Sequence, residues 1–122
     1  MRVIIADNQC EVRSALRLLL CEMGALQIDE VGTAADLWGQ IQLSHPQLLL
    51  IDWRLSKAAG PRWLPALRRL EWGTAIIILG MHPEGGSYAA RVRADGFISK
   101  ADSPERVRRV LQGVWPQSNG TS

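Results

Sequence analysis

Residues 48–51, Leu-Leu-Leu-Ile, are apolar at every position, and the run ends abruptly at Asp52. Such an uninterrupted run predicts a strand covered on both faces, because a half-exposed strand would alternate apolar and polar residues. Residues 3–6 and 74–79 form two further runs of this kind. Strands buried on both faces belong to parallel sheets between layers of helices, so these runs restrict the chain to few folds.

Helical patterns alternate with these runs along the chain. Apolar spacing and capping residues predict helices over residues 11–23, 33–44, 61–70, 87–93 and 103–114, and weaker strands over residues 27–31 and 96–99. The fourth helix is placed after Gly85 and Gly86 because glycine disfavours helix. Residues 53–60 are predicted to be a loop. This order predicts the α/β class, with a five-stranded doubly wound parallel sheet and helices on both faces.

Length and charge fit one compact domain. We expect residues 1–115 to form it and residues 116–122 to be a flexible tail or the start of a linker. A net charge of +2 is too small to indicate nucleic-acid binding. No apolar segment approaches the roughly 20 residues needed to span a bilayer, so no membrane partner is expected.

The cysteine pattern bears on localisation. Cys10 and Cys21 lie on one predicted helix, roughly 16 Å apart at the helical rise, which is too far for a disulfide. The N-terminus leads directly into a strand and carries no signal-peptide pattern. Free thiols without an export signal predict a cytoplasmic protein.

Three charged residues follow predicted strands that are neighbours in this fold. Asp7 follows the first strand, Asp52 ends the third and Lys100 follows the fifth. Because parallel strands end at one edge of the sheet, these groups are expected to converge on one crevice. Adjacent carboxylates remain ionised only where a cation shares the site, and oxygen ligands favour Mg²⁺. The lysine would balance the charge and contact a phosphoryl oxygen.

These motifs resemble those of response regulator receiver domains in two-component systems. The resemblance covers residues 2 to about 115, and its motifs are Val-Ile-Ile-Ala-Asp7, Leu-Leu-Leu-Ile-Asp52-Trp-Arg-Leu and Gly96-Phe97-Ile-Ser-Lys100. It implies the flavodoxin-like (βα)5 receiver fold. The segments Ser103-Pro104-Glu105 and His45-Pro46-Gln47-Leu48 are similar to the subgroup fused to helix-turn-helix output domains.

The resemblance also implies a role for each site residue. Asp52 would accept a phosphoryl group from a sensor histidine kinase or a small phosphodonor, and Lys100 would contact that group. Asp7, Asp52 and the backbone carbonyl of Arg54 would hold Mg²⁺. Phe97 matches the switch aromatic, which swings inward on phosphorylation.

Partners follow from the same resemblance. The fourth helix, fifth strand and fifth helix would form a homodimer face. A DNA-binding output domain, absent from this chain, would control transcription. The only catalysis implied is Mg²⁺-dependent self-phosphorylation and dephosphorylation at Asp52, so the chain is not expected to be an enzyme.

Several residues depart from the family pattern and make the site atypical. Asn8 replaces the second acid that ligates the metal directly, so it would be a weak ligand and Mg²⁺ affinity should fall. Gly80 replaces the Ser or Thr whose hydroxyl couples phosphorylation to the switch aromatic. Ser56 and Ala101 replace two prolines. Asn8 and Gly80 favour the alternative of a degenerate receiver, an interaction module that works without phosphorylation. Asp7, Asp52 and Lys100 favour a receiver that is phosphorylated.

Two enzyme classes fit the sequence less well than the receiver family does. A haloacid-dehalogenase-type phosphatase needs a second acid two residues after its nucleophile, where Arg54 stands. A dinucleotide-binding domain needs a glycine-rich turn after the first strand, and residues 7–10 contain no glycine. Both classes are therefore disfavoured.

Overall fold

The computed structural model describes residues 1–115. Within them the strands are β1 Arg2–Ala6, β2 Gln27–Val31, β3 Leu48–Asp52, β4 Ala75–Gly80 and β5 Gly96–Ser99. The helices are α1 Cys10–Glu22, α2 Ala34–Ser44, α3 Trp53–Ala58, α4 Trp63–Arg69, α5 Pro83–Arg91 and α6 Pro104–Val114. All strand pairs are parallel and the sheet order is β2-β1-β3-β4-β5. The predicted fold class is confirmed.

The uninterrupted apolar run of β3 is buried on both faces, as predicted. Leu49 and Ile51 pack in one core cluster with residues of α2, α4 and α5. Leu48 and Leu50 point the other way, into a second cluster with residues of α1 and α6. Each face of the central strand is therefore shielded by helices, which explains why the run contains no polar residue before Asp52.

The predicted loop over residues 53–60 was wrong in its first part, because α3 occupies Trp53–Ala58. Asp52 is the N-cap of this helix, and its side chain accepts hydrogen bonds from the backbone N–H groups of Arg54 and Leu55. A carboxylate there satisfies donors that otherwise have no partner within the helix. The strand end therefore starts a helix directly, and α4 begins only at Trp63.

The start of α5 was also predicted too late. The helix begins at Pro83, so Gly85 and Gly86 lie inside it. A β-carbon added to Gly85 would lie 2.9 Å from Cε1 of Phe97, closer than real contacts allow. Glycine is required by this close approach, and the packing outweighs the low helix propensity of glycine.

Three further expectations can be compared with the described residues. Cys10 and Cys21 both lie on α1 and are free, as predicted, and both are exposed. In residues 1–115, no helix has the length and apolar character that crossing a membrane requires. The predicted tail, residues 116–122, lies outside the described residues.

Candidate functional site

The site lies at the carboxyl edge of the sheet, where β1, β3 and β5 end. The expectation that these three strands are neighbours was wrong for β5, because β4 lies between β3 and β5. Asp7 follows β1, Asp52 is the last residue of β3 and Lys100 follows β5. The backbone N–H of Lys100 donates to the carbonyl of Gly80 at 2.9 Å, which carries Lys100 past the end of β4 towards β3. Asp52 and Lys100 line a cleft of about 630 Å³, and Asn8 and Arg54 line it too.

The ammonium group of Lys100 lies between the two carboxylates of the site. Its Nζ lies 2.7 Å from Oδ2 of Asp7 and 2.7 Å from Oδ2 of Asp52. It also donates a hydrogen bond to Oε1 of Gln9 at 2.8 Å. Three oxygen atoms from two strand ends and one loop therefore surround a single cation.

This surrounding shifts the pKa of Lys100. Burial alone would lower the pKa, because the charged form loses hydration. The neighbouring carboxylates of Asp52 and Asp7 outweigh burial and raise the pKa above the usual 10.5. Lys100 is therefore a cation at neutral pH, and its charge offsets the repulsion between the two carboxylates.

Asp52 presents its two oxygens to different partners. Oδ1 accepts hydrogen bonds from the backbone N–H groups of Arg54 at 2.8 Å and Leu55 at 3.3 Å. Oδ2 faces Lys100. The start of α3 and the lysine therefore fix the orientation of this carboxylate.

Asp7 is fully buried and held by its own turn. Its Oδ1 accepts the backbone N–H of Gln9 at 2.9 Å, and its backbone carbonyl accepts a hydrogen bond from Nη1 of Arg13 at 2.6 Å. Among the described residues, its Oδ2 is engaged only by the ammonium group of Lys100, at 2.7 Å. This oxygen has capacity for a further ligand.

The oxygen atoms at this edge of the sheet are of the kind that binds Mg²⁺. Asp52 lines the cleft, whereas Asp7 Oδ2 is buried next to it, 2.7 Å from the ammonium nitrogen that Asp52 also contacts. Both are hard oxygen donors, which suits this ion. The side chain of Asn8 is exposed on the same cleft, and an amide oxygen is a permissible but uncharged donor. Residues 1–115 contain no cluster of three His, Cys, Asp or Glu able to hold a metal. The residues fit Mg²⁺ in kind but provide only two charged ligands.

Gly80 and Phe97 lie beside the cleft rather than in its lining. The half-buried Phe97 ring packs against the backbone of β4 and α5, with Cε1 3.3 Å from the position of a β-carbon on Gly80. Trp53 reaches the same place, with Cδ1 3.1 Å from that position. Two aromatic rings therefore fill the space next to Gly80.

Two contributors to the site escaped the sequence analysis. Gln9 bonds to Lys100, and its position two residues after Asp7 was the available signal. Trp53 packs against Gly80, a contact for which the sequence offers no signal. The roles predicted for the site residues in phosphoryl transfer, metal binding and switching stay predictions.

Comparison with known proteins identifies the family. The response regulator receiver domain family matches residues 3–112 of this chain. The chain belongs to that family.

Among curated relatives, the transcriptional activator protein ExaE of Pseudomonas putida is 30% identical over 120 residues, covering 93% of this chain and 56% of that protein. The phosphate regulon transcriptional regulatory protein PhoB of Escherichia coli is 26% identical, covering 96% of this chain and 54% of that protein. The chain therefore spans about half the length of these relatives.

Solved structures share the fold. The chemotaxis response regulator CheY4 of Vibrio cholerae gives a TM-score of 0.77 at 20% identity, with 93% of this chain and 97% of that chain covered. The receiver domain of the putative response regulator NarL from Mycobacterium tuberculosis gives 0.74 at 23% identity, with 95% and 97% covered.

Proposed function

We propose that this receiver domain accepts a phosphoryl group on Asp52 from a sensor histidine kinase or a small phosphodonor. The observation that carries the proposal is the convergence of Asp7 and Asp52 on Lys100, each 2.7 Å from its ammonium nitrogen. This arrangement places a cation beside the nucleophilic carboxylate, where charge develops during phosphoryl transfer.

The transfer uses the oxygen of Asp52 that backbone contacts leave available. Oδ1 is engaged by the N–H groups of Arg54 and Leu55, so Oδ2 attacks the phosphorus. The new bond joins Oδ2 to phosphorus. The P–N bond of a phosphohistidine, or the P–O bond of an acyl phosphate, breaks, and the leaving group keeps the bonding electrons. Lys100, already at Oδ2, then contacts a phosphoryl oxygen.

Asp7, Asp52, Asn8 and the backbone carbonyl of Arg54 would hold Mg²⁺. Bound there, Mg²⁺ would neutralise charge on the transferring phosphoryl group. Asn8 contributes no charge, so we expect weaker affinity than two adjacent acids would give. The chain's own residues orient the acceptor and supply one permanent cation. Self-phosphorylation and dephosphorylation at Asp52 would be its only catalysis.

The biological setting follows from the relatives. Both named relatives are transcriptional regulators, which supports a transcriptional output carried outside this chain. The phosphodonor would be encountered in the cytoplasm, where the free thiols Cys10 and Cys21 persist. Dimerisation would use the face formed by α5, β5 and α6. Residues 1–115 would act as the receiver, with residues 116–122 as tail or linker.

Phosphorylation can be tested directly. The chain is incubated with acetyl phosphate and Mg²⁺, and the added phosphoryl mass is measured by intact-protein mass spectrometry. Asp52→Asn is the matched control because it keeps the shape and loses the nucleophile. We expect modification of the wild-type chain and none of the variant. Equal modification of both, or of neither, would contradict the proposal.

A second candidate function is an interaction module that works without phosphorylation. The observation that favours it is the filled space at Gly80, where Trp53 and Phe97 already pack. Beryllofluoride with Mg²⁺ distinguishes the two, since it mimics the phosphoryl group without chemistry. A change in tryptophan fluorescence that Asp52→Asn abolishes supports the switch. No change at millimolar Mg²⁺ supports the module.

A further inference from the structure

A second groove lies on the other side of α3, away from the Asp52 cleft. It has a volume of about 520 Å³ and shares no lining residue with that cleft. Its floor is apolar and aromatic, formed by Trp63, Leu64, Tyr88 and Val92. Trp63 and Leu64 are buried core residues of α4, so the floor is anchored to the sheet.

The rim of this groove carries exposed cations. They are Lys57, Arg68, Arg91 and Arg93, and the groove lining includes no Asp or Glu. Within residues 1–115, none of these four cations forms a salt bridge with a carboxylate. No ion pair therefore neutralises these four charges directly.

The sequence around the groove is also rich in cations and poor in acids. Residues 53–70 contain five Arg or Lys and no Asp or Glu, although the whole chain has a net charge of only +2. The rim cations are also partly fixed in place. Arg68 Nη2 donates to the backbone carbonyl of Arg93 at 2.8 Å, and the Arg91 guanidinium carbon lies 5.9 Å from the centre of the Tyr88 ring. Cations held in place lose less freedom on binding an anion.

We propose that this groove binds an acidic peptide segment of a partner protein. An aliphatic side chain of the segment enters the apolar floor, and flanking carboxylates pair with the rim cations. This charge complementarity speeds the association of the acidic segment with the groove, and it disfavours basic partners by repulsion. Glu84 lines the adjoining surface next to Lys57 and Arg91, so the acidic residues are expected towards the end with Arg68 and Arg93.

The aromatic side chains argue for a peptide rather than a nucleic acid. Single strands bind by stacking bases on exposed aromatic faces. Trp63 is 5% exposed, and its Nε1 donates to the backbone carbonyl of Ser56. The Tyr88 hydroxyl is hydrogen-bonded to Ser56 at 2.6 Å, and Arg91 lies over its ring. Trp63 is therefore too buried to stack on a base, and Arg91 competes for the ring of Tyr88.

The test uses the full chain and a fluorescein-labelled acidic peptide. The probe is an amidated segment of alternating Asp and Glu with two central leucines, and binding is measured by fluorescence anisotropy at low salt. Arg93→Glu reverses one rim charge at the end of the groove where the acidic residues are expected. Arg109→Glu is the matched control, because Arg109 is exposed on α6 and forms no salt bridge within residues 1–115.

We expect Arg93→Glu to weaken binding about tenfold and Arg109→Glu to change it less than about twofold. Replacing the two leucines of the probe by serine should also weaken binding. Equal losses in both variants would show a response to net charge alone and would overturn the proposal. Tighter binding of a single-stranded DNA oligomer of equal charge, or no peptide binding at millimolar concentration, would overturn it too. The assay needs no phosphorylation, so its outcome is independent of Asp52.

Discussion

Trp53 occupies the space that a side chain at Gly80 would need. A β-carbon added to Gly80 would lie 3.1 Å from Cδ1 of Trp53, tighter than nine in ten real contacts of this kind. The Ser or Thr that the family resemblance places here would therefore have to displace the indole or the neighbouring Phe97 ring. The absence of a hydroxyl at position 80 and the position of Trp53 therefore go together, because the indole occupies the room that a side chain would need.

Gly80→Ala should therefore destabilise the fold. The added methyl group meets Trp53, Phe97 and the backbone of Gly85 at once. Overpacking of this kind costs about 1–3 kcal/mol in the free energy of unfolding. Urea unfolding followed by circular dichroism measures the change.

Gly39→Ala is the matched control for this substitution. Gly39 lies in α2, and a β-carbon there meets no atom within 4 Å. Alanine in an exposed helix is more stable than glycine by about 0.5–1 kcal/mol. Equal effects of the two substitutions would contradict the packing described at Gly80.

The two oxygens of Asp52 predict a difference between its alanine and asparagine variants. Asparagine can still accept the N–H groups of Arg54 and Leu55 and cap α3, whereas alanine cannot. Both variants lose the negative charge beside Lys100. We expect Asp52→Ala to be less stable than Asp52→Asn by about 1 kcal/mol, the usual worth of an N-cap. Chemical denaturation of both variants tests this, and equal stabilities would contradict a capping role.

The raised pKa of Lys100 predicts how stability depends on pH. Below the ordinary value of 10.5, the lysine is protonated in both states and its ion pairs contribute fully to stability. As pH rises above 10.5, the unfolded chain releases the proton first, so the contribution falls until pH passes the higher folded pKa. The stability advantage of the wild-type chain over Lys100→Met should therefore shrink in that range.

Urea unfolding at a series of alkaline pH values measures this advantage. Lys57→Met serves as the control, since it removes the other lysine of the chain and reports the general effect of losing one. A wild-type advantage over Lys100→Met that stays constant through the alkaline range would contradict the proposed linkage. An advantage that grows with pH would contradict even its sign.

Asn8→Asp should strengthen Mg²⁺ binding. Asn8 is exposed on the cleft, so the change adds a charged ligand without disturbing the core. Affinity for hard cations follows ligand charge, and we expect about tenfold tighter binding. Isothermal titration calorimetry with MgCl₂ measures it. Asn8→Ala is the comparison, and an Asn8→Asp affinity no higher than that of Asn8→Ala would exclude this position as a ligand.

Much of the fold could be predicted because buried strands leave a clear pattern. Residues 48–51 are apolar throughout since both faces of β3 are covered. The helix Trp53–Ala58 was missed because it is too short to display a helical period. The early start of α5 was missed because glycine at position 85 reflects contact with Phe97, which lies on another element. Tertiary packing of this kind leaves no local signal.

The residues of the site that lie at the carboxyl ends of strands could be predicted. Asp7, Asp52 and Lys100 could be grouped because parallel strands end at one edge. The contact from Lys100 to Gln9 depends on how the turn after β1 is folded, which spacing alone does not determine. The groove beside α3 was not predicted at all, since it needs the position of α5 against α4.

One short helix joins the two surfaces described above. The helix α3 begins at Asp52, whose carboxylate caps it, and carries Lys57 on the rim of the cationic groove. Attaching a phosphoryl group to Asp52 changes the charge and bonding at the first turn of this helix. If this change alters the position of Lys57, the cleft and the groove are coupled, and the coupling is reciprocal. A groove ligand must then alter the equilibrium of phosphorylation by the same factor by which phosphorylation alters the affinity of that ligand.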